Sequence, residues 1–558
     1  MNTATVISPV SRWAFLKGPR AGFYLALTLL TLLGGGLRLV KLGDYPGGFG
    51  QDEAVDLYDA WSLLTTGAEH HGDRWPLNSR QYGDYPSALP SYITMPFVAL
   101  LGPTEFAARL PCALLNIAAI PLFGLLLFHL FRSRTAGVFA AALLAVSPWN
   151  IFFSRWAVSP GFVTFFQVAG LCLLIRLMSG HNQRRHTVFI AAGLTGFILF
   201  LWTHMYLSQY LFAPFMIGAG MLLWFKDNRA RIITAGGVYS LFMILAIMGR
   251  IGNPSTAGRL SKECVFFTDQ PWTYFSRIYW DYQSAGFLFN APKMLPLHQI
   301  PGIAHIQHLL SPFYLLGLAV LIAAVFQPRR VLRLLGRPDT ESDVIHWRRV
   351  SLWMLLGVVL APVAGGLFIE SLYTSRMTHL LLHSLLIISV GCASFWYLLR
   401  RFPIPAVAPV VAVLFALYLG QQTFKTVRGL ARENLYLQGW LQQGVPDVMR
   451  YLGKQSNVRS VHVPRLFQGY MYHLLFTPVH PARLNRAEVT PRAAEPSHHW
   501  HYNDISEVGN YFFYQDIDAD IITRTAVLRH QVRDKDRVWY ELYESKGDWY
   551  VVPGQKAK

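Results

Sequence analysis

Hydrophobic residues occupy most of this chain in blocks long enough to cross a lipid bilayer, with short polar and basic segments between them. Eleven blocks predict membrane-spanning helices, and they lie at 21–40, 106–131, 135–150, 160–178, 187–203, 207–225, 232–250, 311–326, 350–369, 378–399 and 405–424. The first block runs longer than the apolar part of a signal peptide and lacks a small-residue cleavage site, so we expect a retained anchor. The pattern predicts a mostly α-helical, polytopic membrane bundle.

Three polar regions are too long to be simple connections between spans, and they lie at 41–105, 251–310 and 425–558. The last has the pattern of a folded domain, with a helical period over 425–453, an alternating strand at 458–463 and a β-hairpin that turns at Lys546-Gly547. The chain therefore divides into a membrane module, residues 1–424, and a small outer α/β domain, residues 425–558.

In the first polar region, residues 52–64 repeat with the period of an α-helix. Its apolar face carries Leu57, Trp61 and Leu64, and its acidic face carries Asp52, Asp56 and Asp59. We expect this helix to lie along the membrane surface, with the apolar face in lipid and the carboxylates toward an aqueous cleft. The segment 85–97 contains three prolines, so it predicts a second surface helix rather than a span.

Composition and charge agree with a membrane protein. The chain has 558 residues, of which 53% are hydrophobic and 14% charged, and its formal net charge is +18. With the N-terminus placed inside, the inner ends and loops of the first 424 residues carry nineteen basic and four acidic residues, and the outer side carries twelve and thirteen. This asymmetry predicts a cytoplasmic N-terminus and an exported C-terminal domain. It also argues against nucleic acid as a partner.

Cysteine and histidine patterns give no familiar metal motif. Three of the four cysteines fall in predicted spans, and no disulfide pair suggests itself. The histidine clusters are His70-His71, then His298, His305 and His308, then His498, His499 and His501. None has a familiar ligand spacing, so we assign no metal ligand and predict solvated or headgroup-facing histidines. A bound divalent metal is the alternative, and no other cofactor is indicated.

Asp52 and Glu53 are adjacent carboxylates just beyond the first span, and they carry the main chemical prediction. Asp52 falls in the first turn of the expected helix, where the helix dipole favours an ionised acid. An ionised carboxylate there can accept a proton from an attacking hydroxyl, which makes Asp52 the candidate base. Glu53 points to another side and could orient the acceptor or pair with an arginine. The alternative is a capping acid followed by a solvated one.

Cationic side chains near the outer ends of spans are candidates for binding a phosphate, because a guanidinium can donate two parallel hydrogen bonds to it. The donor-binding candidates are Arg155, Arg376, His379, Arg80 and Tyr85, and the weaker acceptor or sugar candidates are Asp56, His204 and Tyr206. The alternative for the cations is that they anchor helix ends at lipid headgroups. For His204 the alternative is a structural histidine.

The sequence has no P-loop and no GxGxxG fingerprint, and its acids face the side that lacks nucleotides. A sugar donor must therefore already have crossed the membrane, as a lipid-phosphate sugar has.

Five short motifs within the first 180 residues resemble those of the GT-C glycosyltransferases. They are Pro46-Gly-Gly-Phe-Gly-Gln-Asp52-Glu53-Ala, Gly83-Asp-Tyr, Glu105-Phe-Ala-Ala-Arg-Leu-Pro111, Ser147-Pro-Trp and Ser154-Arg155-Trp. The nearest branch is the bacterial one related to protein O-mannosyltransferases and to the aminoarabinose transferase that modifies lipid A. Beyond these motifs the resemblance is architectural, with many spans, a long loop after the seventh and an outer C-terminal domain.

The resemblance implies inverting transfer from a polyprenyl-phosphate sugar to a glycan, lipid or protein acceptor, with Asp52 as the base and Arg155 in contact with the lipid phosphate. The aminoarabinose branch has a lysine in its first-loop Lys-Pro segment, whereas the comparable stretch here, Gly83-Asp-Tyr-Pro86, offers Asp84. This departure argues against an aminoarabinose donor and a lipid A acceptor.

Two alternatives stay open at this point. An oligosaccharide ligase or polymerase would use a lipid diphosphate donor instead of a monophosphate. A transporter or flippase would place ionisable groups near the bilayer midplane, whereas the few charges in the predicted spans lie mostly at their ends.

Overall fold

The computed structural model describes residues 19–81, 85–179, 185–249, 264–290, 299–300, 302–369, 372–401, 403–404, 406–431, 442–464, 469–477, 479–484, 489–491, 505–515, 519–534 and 537–554. Within these ranges a helical bundle precedes a small sheet domain, and the predicted fold class is confirmed. Six residues named above lie outside them, namely Gly83, Asp84, His298, His498, His499 and His501.

The bundle and the outer helices precede the C-terminal domain along the chain. Their bounds are α1 Pro19–Leu39, α2 Gln51–Thr66, α3 Leu89–Leu101, α4 Glu105–Phe131, α5 Arg134–Ala145, α6 Pro148–Ser154, α7 Ser159–Ser179, α8 Arg185–His204, α9 Gln209–Met248, α10 Pro271–Gln283, α11 Ala285–Phe289, α12 Ser311–Phe326, α13 Pro328–Leu334, α14 Glu341–Leu360, α15 Val363–Gly366, α16 Thr378–Leu399 and α17 Val407–Ala431. Of the helices in the described ranges, nine are long and apolar enough to cross a membrane, or ten if α5 and α6, bent by 58°, form one broken span.

The helix α9 is a hairpin of two antiparallel helices joined at Asn228. Asn228 has non-helical backbone angles, φ −142° and ψ 35°. The chain folds back there, because the Met221 sulfur lies 3.7 Å from the position that a Cβ on Gly236 would take. Counting this hairpin as two crossings, and α5 with α6 as one broken span, brings the described spans to the predicted eleven. The chain is therefore a multi-pass membrane protein.

Glycine allows close helix contact at the centre of the bundle. A Cβ on Gly317 of α12 would lie 2.1 Å from the Ile387 carbonyl oxygen of α16, and one on Gly391 would lie 1.9 Å from the Phe313 oxygen. Neither side chain could be accommodated without moving backbone. Because lipid offers no hydrophobic drive between helices, such close packing is what holds spans together.

Both predicted outer helices are present, as α2 and α3. The helix α3 begins at Leu89, later than the predicted 85–97, and Pro90 occupies its first turn, where a missing N–H costs little. Pro96 lies inside the same helix.

The C-terminal domain is built on one seven-stranded sheet of order β2-β3-β4-β1-β7-β6-β5. The strands are β1 Ser460–Pro464, β2 Val489–Pro491, β3 Ile505–Val508, β4 Tyr511–Gln515, β5 Val527–Asp534, β6 Arg537–Ser545 and β7 Asp548–Pro553, and the helices are α18 Val445–Leu452, α19 Gly469–Phe476 and α20 Ala519–Thr525. The strand β1 pairs in parallel with β4 and β7, and the other pairs are antiparallel. The predicted hairpin is confirmed as β6 and β7.

The prediction of one helix over 425–453 is wrong. The helix α17 is described to Ala431, residues 432–441 lie outside the described ranges, and α18 begins at Val445. Gly444 stands before α18 with φ +85°, a left-handed conformation that no continuous helix can contain. Leucine spacing alone did not show this break.

The apolar face of α2 contacts the C-terminal domain, so the expectation that this face lies in lipid is wrong. Val55 and Leu57 of α2 belong to the same hydrophobic cluster as Val448 and Leu474 of the domain. The Tyr472 hydroxyl of α19 also donates a hydrogen bond of 2.6 Å to the Phe49 carbonyl, just before α2 begins. The domain therefore covers the helix that carries the candidate base.

Candidate active site

Glu53 is fully buried in an ion pair with Arg109 of α4. Arg109 Nε donates to Glu53 Oε1 at 2.9 Å, and Nη2 donates to Oε2 at 3.1 Å. The Ala157 N–H donates to Oε1 at 3.0 Å, and the Gly50 N–H donates to Oε2 at 2.8 Å. The bond from Gly50 closes the first turn of α2. Four hydrogen bonds fill this carboxylate, so the structure gives Glu53 the role of fixing α2, as an arginine partner and not as an acceptor contact.

Arg109 also binds the loop that connects α1 to α2. Its two Nη atoms donate to four carbonyl oxygens, those of Leu42 at 3.4 Å, Gly43 at 3.3 Å, Pro46 at 3.0 Å and Gly48 at 2.7 Å. The guanidinium carbon also lies 5.7 Å from the centre of the Phe49 ring. One buried arginine thus links the start of α2 to the loop before it.

Arg155 holds the beginning of the same loop. Its guanidinium donates to five carbonyl oxygens, those of Leu37 at 3.2 Å, Arg38 at 2.9 Å, Val40 at 2.9 Å, Lys41 at 2.9 Å and Tyr45 at 3.1 Å. A guanidinium has five N–H donors, so this arrangement uses all of them. The predicted contact of Arg155 with a lipid phosphate would require breaking these bonds. In the structure Arg155 caps α1 and binds the loop, and its contact with a lipid phosphate stays a prediction.

Asp52 is exposed, in contrast to the adjacent Glu53. It lies in the first turn of α2, where backbone N–H groups and the helix dipole favour negative charge. Burial is the main cause that raises the pKa of Tyr472 well above its ordinary value, and the charges of Glu53 and Asp52 act in the same direction. Asp52 is therefore a solvent-accessible carboxylate beside the C-terminal domain.

Asp56 lies one helical turn after Asp52 and is buried, so the expectation of an open acidic face on α2 is wrong beyond Asp52. The Gln81 side-chain N–H donates to Asp56 Oδ1 at 2.9 Å, and the Ser91 hydroxyl donates to it at 3.4 Å. Burial raises the pKa of Asp56 well above 3.8, and the charges of Asp52 and Asp59 act in the same direction. This carboxyl therefore tends to keep its proton.

A second group of candidates surrounds the turn Thr374–Met377. Arg376 is buried, and its guanidinium carbon lies 4.4 Å from the centre of the Phe368 ring and 4.6 Å from that of Tyr373. The Tyr206 hydroxyl donates to the Ser375 hydroxyl at 3.5 Å. The structure thus brings Arg376 and Tyr206 into one neighbourhood, where two rings fix the plane of the guanidinium.

Two of the candidate histidines are enclosed in the bundle. His379 lies 3.0 Å from the Gln209 amide nitrogen and 2.8 Å from the Ala361 carbonyl. His204 lies 3.0 Å from the Leu77 carbonyl and also contacts the Tyr210 hydroxyl. Both side chains have 0% exposed surface among the described residues. The donor-binding role of His379 and the sugar-binding role of His204 stay predictions.

The remaining candidates lie on the first outer loop. Arg80 is exposed, and Tyr85 is half-buried on the other side of the undescribed residues 82–84. Their neighbour Gln81 is the residue that binds Asp56.

One group of possible metal ligands occurs in the described residues, namely Glu69, His70 and His71. Burial raises the pKa of Glu69, but the hydrogen bond with His71 and the charges of both histidines outweigh it and lower that pKa to about 2. His305 belongs to the second predicted histidine cluster and is also buried. Its Nε2 lies 3.0 Å from the Thr374 hydroxyl, and it is not part of the group of possible metal ligands found among the described residues.

Comparison with protein families places residues 85–235 in a family described as dolichyl-phosphate-mannose-protein mannosyltransferase. This segment begins at Tyr85 and includes Arg109 and Arg155. A comparison with curated protein sequences finds no match.

The structure is similar to that of the archaeal oligosaccharyltransferase AglB from Archaeoglobus fulgidus, solved with an inhibitory peptide and a dolichol-phosphate. The TM-score is 0.50 at 11% sequence identity, and the alignment covers 82% of this chain and 64% of AglB. The chain has a GT-C glycosyltransferase fold. It spans less than two thirds of the length of AglB, the relative that it matches.

The GT-C fold is the one that the motifs predicted, so that resemblance is confirmed for the fold and for the matched segment. A further similar structure is that of ArnT from Cupriavidus metallidurans bound to undecaprenyl phosphate. Its TM-score is 0.41 at 12% identity, with 84% of this chain and 85% of ArnT covered.

Sequence reasoning missed the role of Arg109, although the residue stood in a quoted motif. It lies inside an apolar span, and a buried arginine there signals a partner. The ion pair could have been predicted from two observations together, namely an arginine inside an apolar span and a glutamate, Glu53, for which an arginine partner was one of the two possible roles.

Proposed function

We propose that this protein is an inverting glycosyltransferase, which moves a sugar from a polyprenyl-phosphate carrier to an acceptor hydroxyl at the outer face of the membrane. The family match over 85–235 and the GT-C fold support the enzyme class and the lipid-phosphate donor. The observation that carries the proposal is the difference in environment between two adjacent acids. Glu53 is buried and fully bonded, and Asp52 is exposed at the start of the same helix.

Asp52 acts as the general base in this proposal. The acceptor O–H bond breaks, its proton passes to the Asp52 carboxylate, and the oxygen attacks the anomeric carbon of the sugar. The bond from that carbon to the phosphate oxygen breaks on the opposite face, and its electron pair leaves with the polyprenyl phosphate. Attack opposite to the leaving group inverts the anomeric centre.

The support under Asp52 is stiff, which suits a base that must hold its position. The Glu53–Arg109 pair fixes the first turn of α2, and Arg109 and Arg155 together bind nine carbonyl oxygens, two at the end of α1 and seven in the loop that follows it. Misplacing a catalytic group by about 1 Å can cost about 100-fold in rate. We therefore assign Glu53, Arg109 and Arg155 as positioning residues.

Arg376 is the residue that we assign to the lipid phosphate. The rings of Phe368 and Tyr373 hold its plane, and a planar guanidinium donates in that plane to two phosphate oxygens. The Tyr206 and Ser375 hydroxyls stand beside it and could donate to the same group. Stabilising the departing phosphate charge lowers the barrier to sugar transfer.

We place the reaction outside the cytoplasm of a bacterium, with the N-terminus of the chain in the cytoplasm and the C-terminal domain in the periplasm. The support is the distribution of basic residues, which concentrate at the span ends opposite to Asp52. The acceptor is then a glycan, lipid or protein that meets α2 and the C-terminal domain.

Transfer by the purified full chain tests the proposal. Mass spectrometry of co-purifying lipid first identifies the carrier and its sugar, and that lipid then serves as donor. We expect Asp52→Asn to lower transfer by about 100-fold or more, because general base catalysis contributes about that much. Binding of undecaprenyl phosphate should not change. The matched control is Asp44→Asn, an exposed acid of the same loop, which should retain activity.

Three outcomes would contradict the proposal. Wild-type activity in Asp52→Asn would remove the assigned base. Transfer from a lipid diphosphate donor alone would favour a ligase or polymerase. Movement of the lipid across vesicle membranes without labelling of any acceptor would favour a transporter.

A further inference from the structure

Four side chains that sugar transfer does not use converge near the outer end of α2. Asp59 lies on the helix itself, and Glu69, His70 and His71 lie on the turn that follows it. Gly67, with φ +72°, ends α2 and reverses the chain so that the turn meets the helix. All four side chains are buried except that of His71, which is 15% exposed.

The two imidazole Nδ1 atoms of this group carry at most two protons for three contacts with carboxylate oxygens. His70 Nδ1 faces two carboxylates, Asp59 Oδ1 at 2.7 Å and Glu69 Oε2 at 3.2 Å, and it can carry one proton. Glu69 Oε2 in turn faces a second imidazole nitrogen, His71 Nδ1, at 3.3 Å. Ligand atoms of Glu69, His70 and His71 lie within 4.8 Å of one another, so one cation between them would bind all three residues.

Two atoms of the group have no hydrogen-bond partner among the described residues. They are Asp59 Oδ2 and His70 Nε2, and both are enclosed. A buried polar atom without a partner costs about 1–3 kcal/mol.

The spacing suits zinc. Zinc bonds to nitrogen and oxygen are about 2.0–2.1 Å long, so two ligand atoms of a tetrahedral site stand about 3.4 Å apart. The Glu69 oxygen stands 3.2 Å and 3.3 Å from the two imidazole nitrogens. Imidazole ligands favour zinc over calcium or magnesium, and the Glu69 carboxylate offsets part of its charge.

We propose that Glu69, His70 and His71 form a structural zinc site in the turn after α2. Three protein ligands hold the ion, and water takes the fourth position. His70 also contacts Asp59 of α2, which is seven residues from Asp52, or about 10 Å along the helix, so the ion holds the turn against the middle of the element that carries the base. The proposal does not depend on the proposed function.

Metal analysis of the full chain, purified in detergent and loaded with zinc chloride before desalting, tests this site. We expect about one zinc ion per chain in the wild type. Cobalt chloride loaded instead should give the visible absorption of a tetrahedral ion. We expect His71→Ala and Glu69→Gln to lose the zinc, and the control His308→Ala, an exposed histidine of another outer loop, to keep it.

Folding is checked separately, by a monodisperse elution profile and by binding of undecaprenyl phosphate. His71→Ala is the decisive variant, because its side chain is partly exposed and its loss leaves the helix contacts intact. Zinc content that is equal in wild type and His71→Ala, or absent from wild type after loading, would overturn the proposal and leave a hydrogen-bonded cluster only. Asp52→Asn should bind zinc normally, so the two proposals fail independently.

Discussion

Arg109 reaches Glu53 across 56 residues of sequence, and neither side chain of the resulting pair has any exposed surface. Burying two charges is costly, so such a pair is not by itself a source of stability. Removing one partner is a different matter, because the other charge is then buried alone.

We therefore expect Arg109→Met to destabilise the protein by about 3–5 kcal/mol, through the unpaired charge on Glu53. Thermal unfolding of the detergent-purified chain measures this loss. The control is Arg277→Ala, because Arg277 and Asp281 form an exposed pair at 4.0 Å whose loss should change little.

The double variant Glu53→Gln with Arg109→Met should recover part of that stability, since no charge is then buried alone. A single Arg109→Met variant as stable as Arg277→Ala would show that Glu53 finds another partner or keeps a proton.

Arg155 and Arg376 can be distinguished by replacing each with lysine. Arg155→Lys leaves three N–H donors for five carbonyl oxygens, so we expect a looser loop before α2 and about tenfold slower transfer, with unchanged affinity for undecaprenyl phosphate. Arg376→Lys should instead weaken that affinity, because a lysine cannot form the two-pronged contact. Lipid binding and turnover are measured on the same preparations. If Arg155→Lys weakens the affinity for undecaprenyl phosphate and Arg376→Lys does not, Arg155 is the residue that binds the lipid phosphate.

Asp56 should make the protein less stable as pH rises. Burial raises its folded-state pKa well above 3.8, so the folded chain holds the proton more tightly than the unfolded chain does. The free energy of unfolding then falls as pH increases from about 3.8 toward the folded pKa, and the loss persists at neutral pH.

Asp56→Asn removes that loss and keeps an acceptor for Gln81. We expect it to stabilise the protein at pH 7 by at least about 1 kcal/mol, with the gain vanishing below about pH 3, where the Asp56 carboxyl is protonated in both the folded and the unfolded chain. Thermal unfolding at the two pH values measures the difference. A destabilised variant at pH 7 would mean that the ionised carboxylate is the form that the fold prefers.

His473 gives the C-terminal domain the opposite dependence on pH. It is buried against the Tyr511 ring, with 3.8 Å between ring centres, and burial lowers its pKa from 6.5 to about 3. The unfolded chain binds the proton first, so stability is complete above pH 6.5 and falls by about 1.4 kcal/mol per pH unit below it.

Replacing His473 with glutamine should flatten this part of the pH profile, since glutamine does not titrate and can still contact the Thr477 hydroxyl. The exposed His480 provides the control, and His480→Gln should leave the profile unchanged. Near-ultraviolet circular dichroism of the full chain from pH 7 to 4 follows the transition. Identical profiles for the wild type and His473→Gln would assign the dependence to other groups.

Hydrophobic periodicity was enough to predict the bundle and α2. The predicted helix over 52–64 is Gln51–Thr66, and the spans were found because an apolar block of membrane length has few other uses. The partner of the apolar face of α2 could not be found in this way. Tyr472 and Phe49, which join the domain to α2, are 423 residues apart.

Arg155 shows why the site was harder to predict than the fold. Its five partners are backbone carbonyls, which every residue has, so they leave no pattern in the sequence. A phosphate-binding arginine and a loop-binding arginine therefore cannot be distinguished in the sequence, because the course of the loop backbone is known only from the structure. The cluster at Asp59 was missed for a related reason, because its side chains meet only after the reversal at Gly67.

The packing of α2 against the C-terminal domain also determines when, during synthesis of the chain, the proposed active site is complete. Synthesis runs from the N-terminus, so α2 emerges early, while the strands and helices that enclose Val55 and Leu57 are among the last to be made. Until then the helix presents an uncovered apolar face at the membrane surface. The residue proposed as the base is thus translated among the first and takes its final place only when the chain is complete.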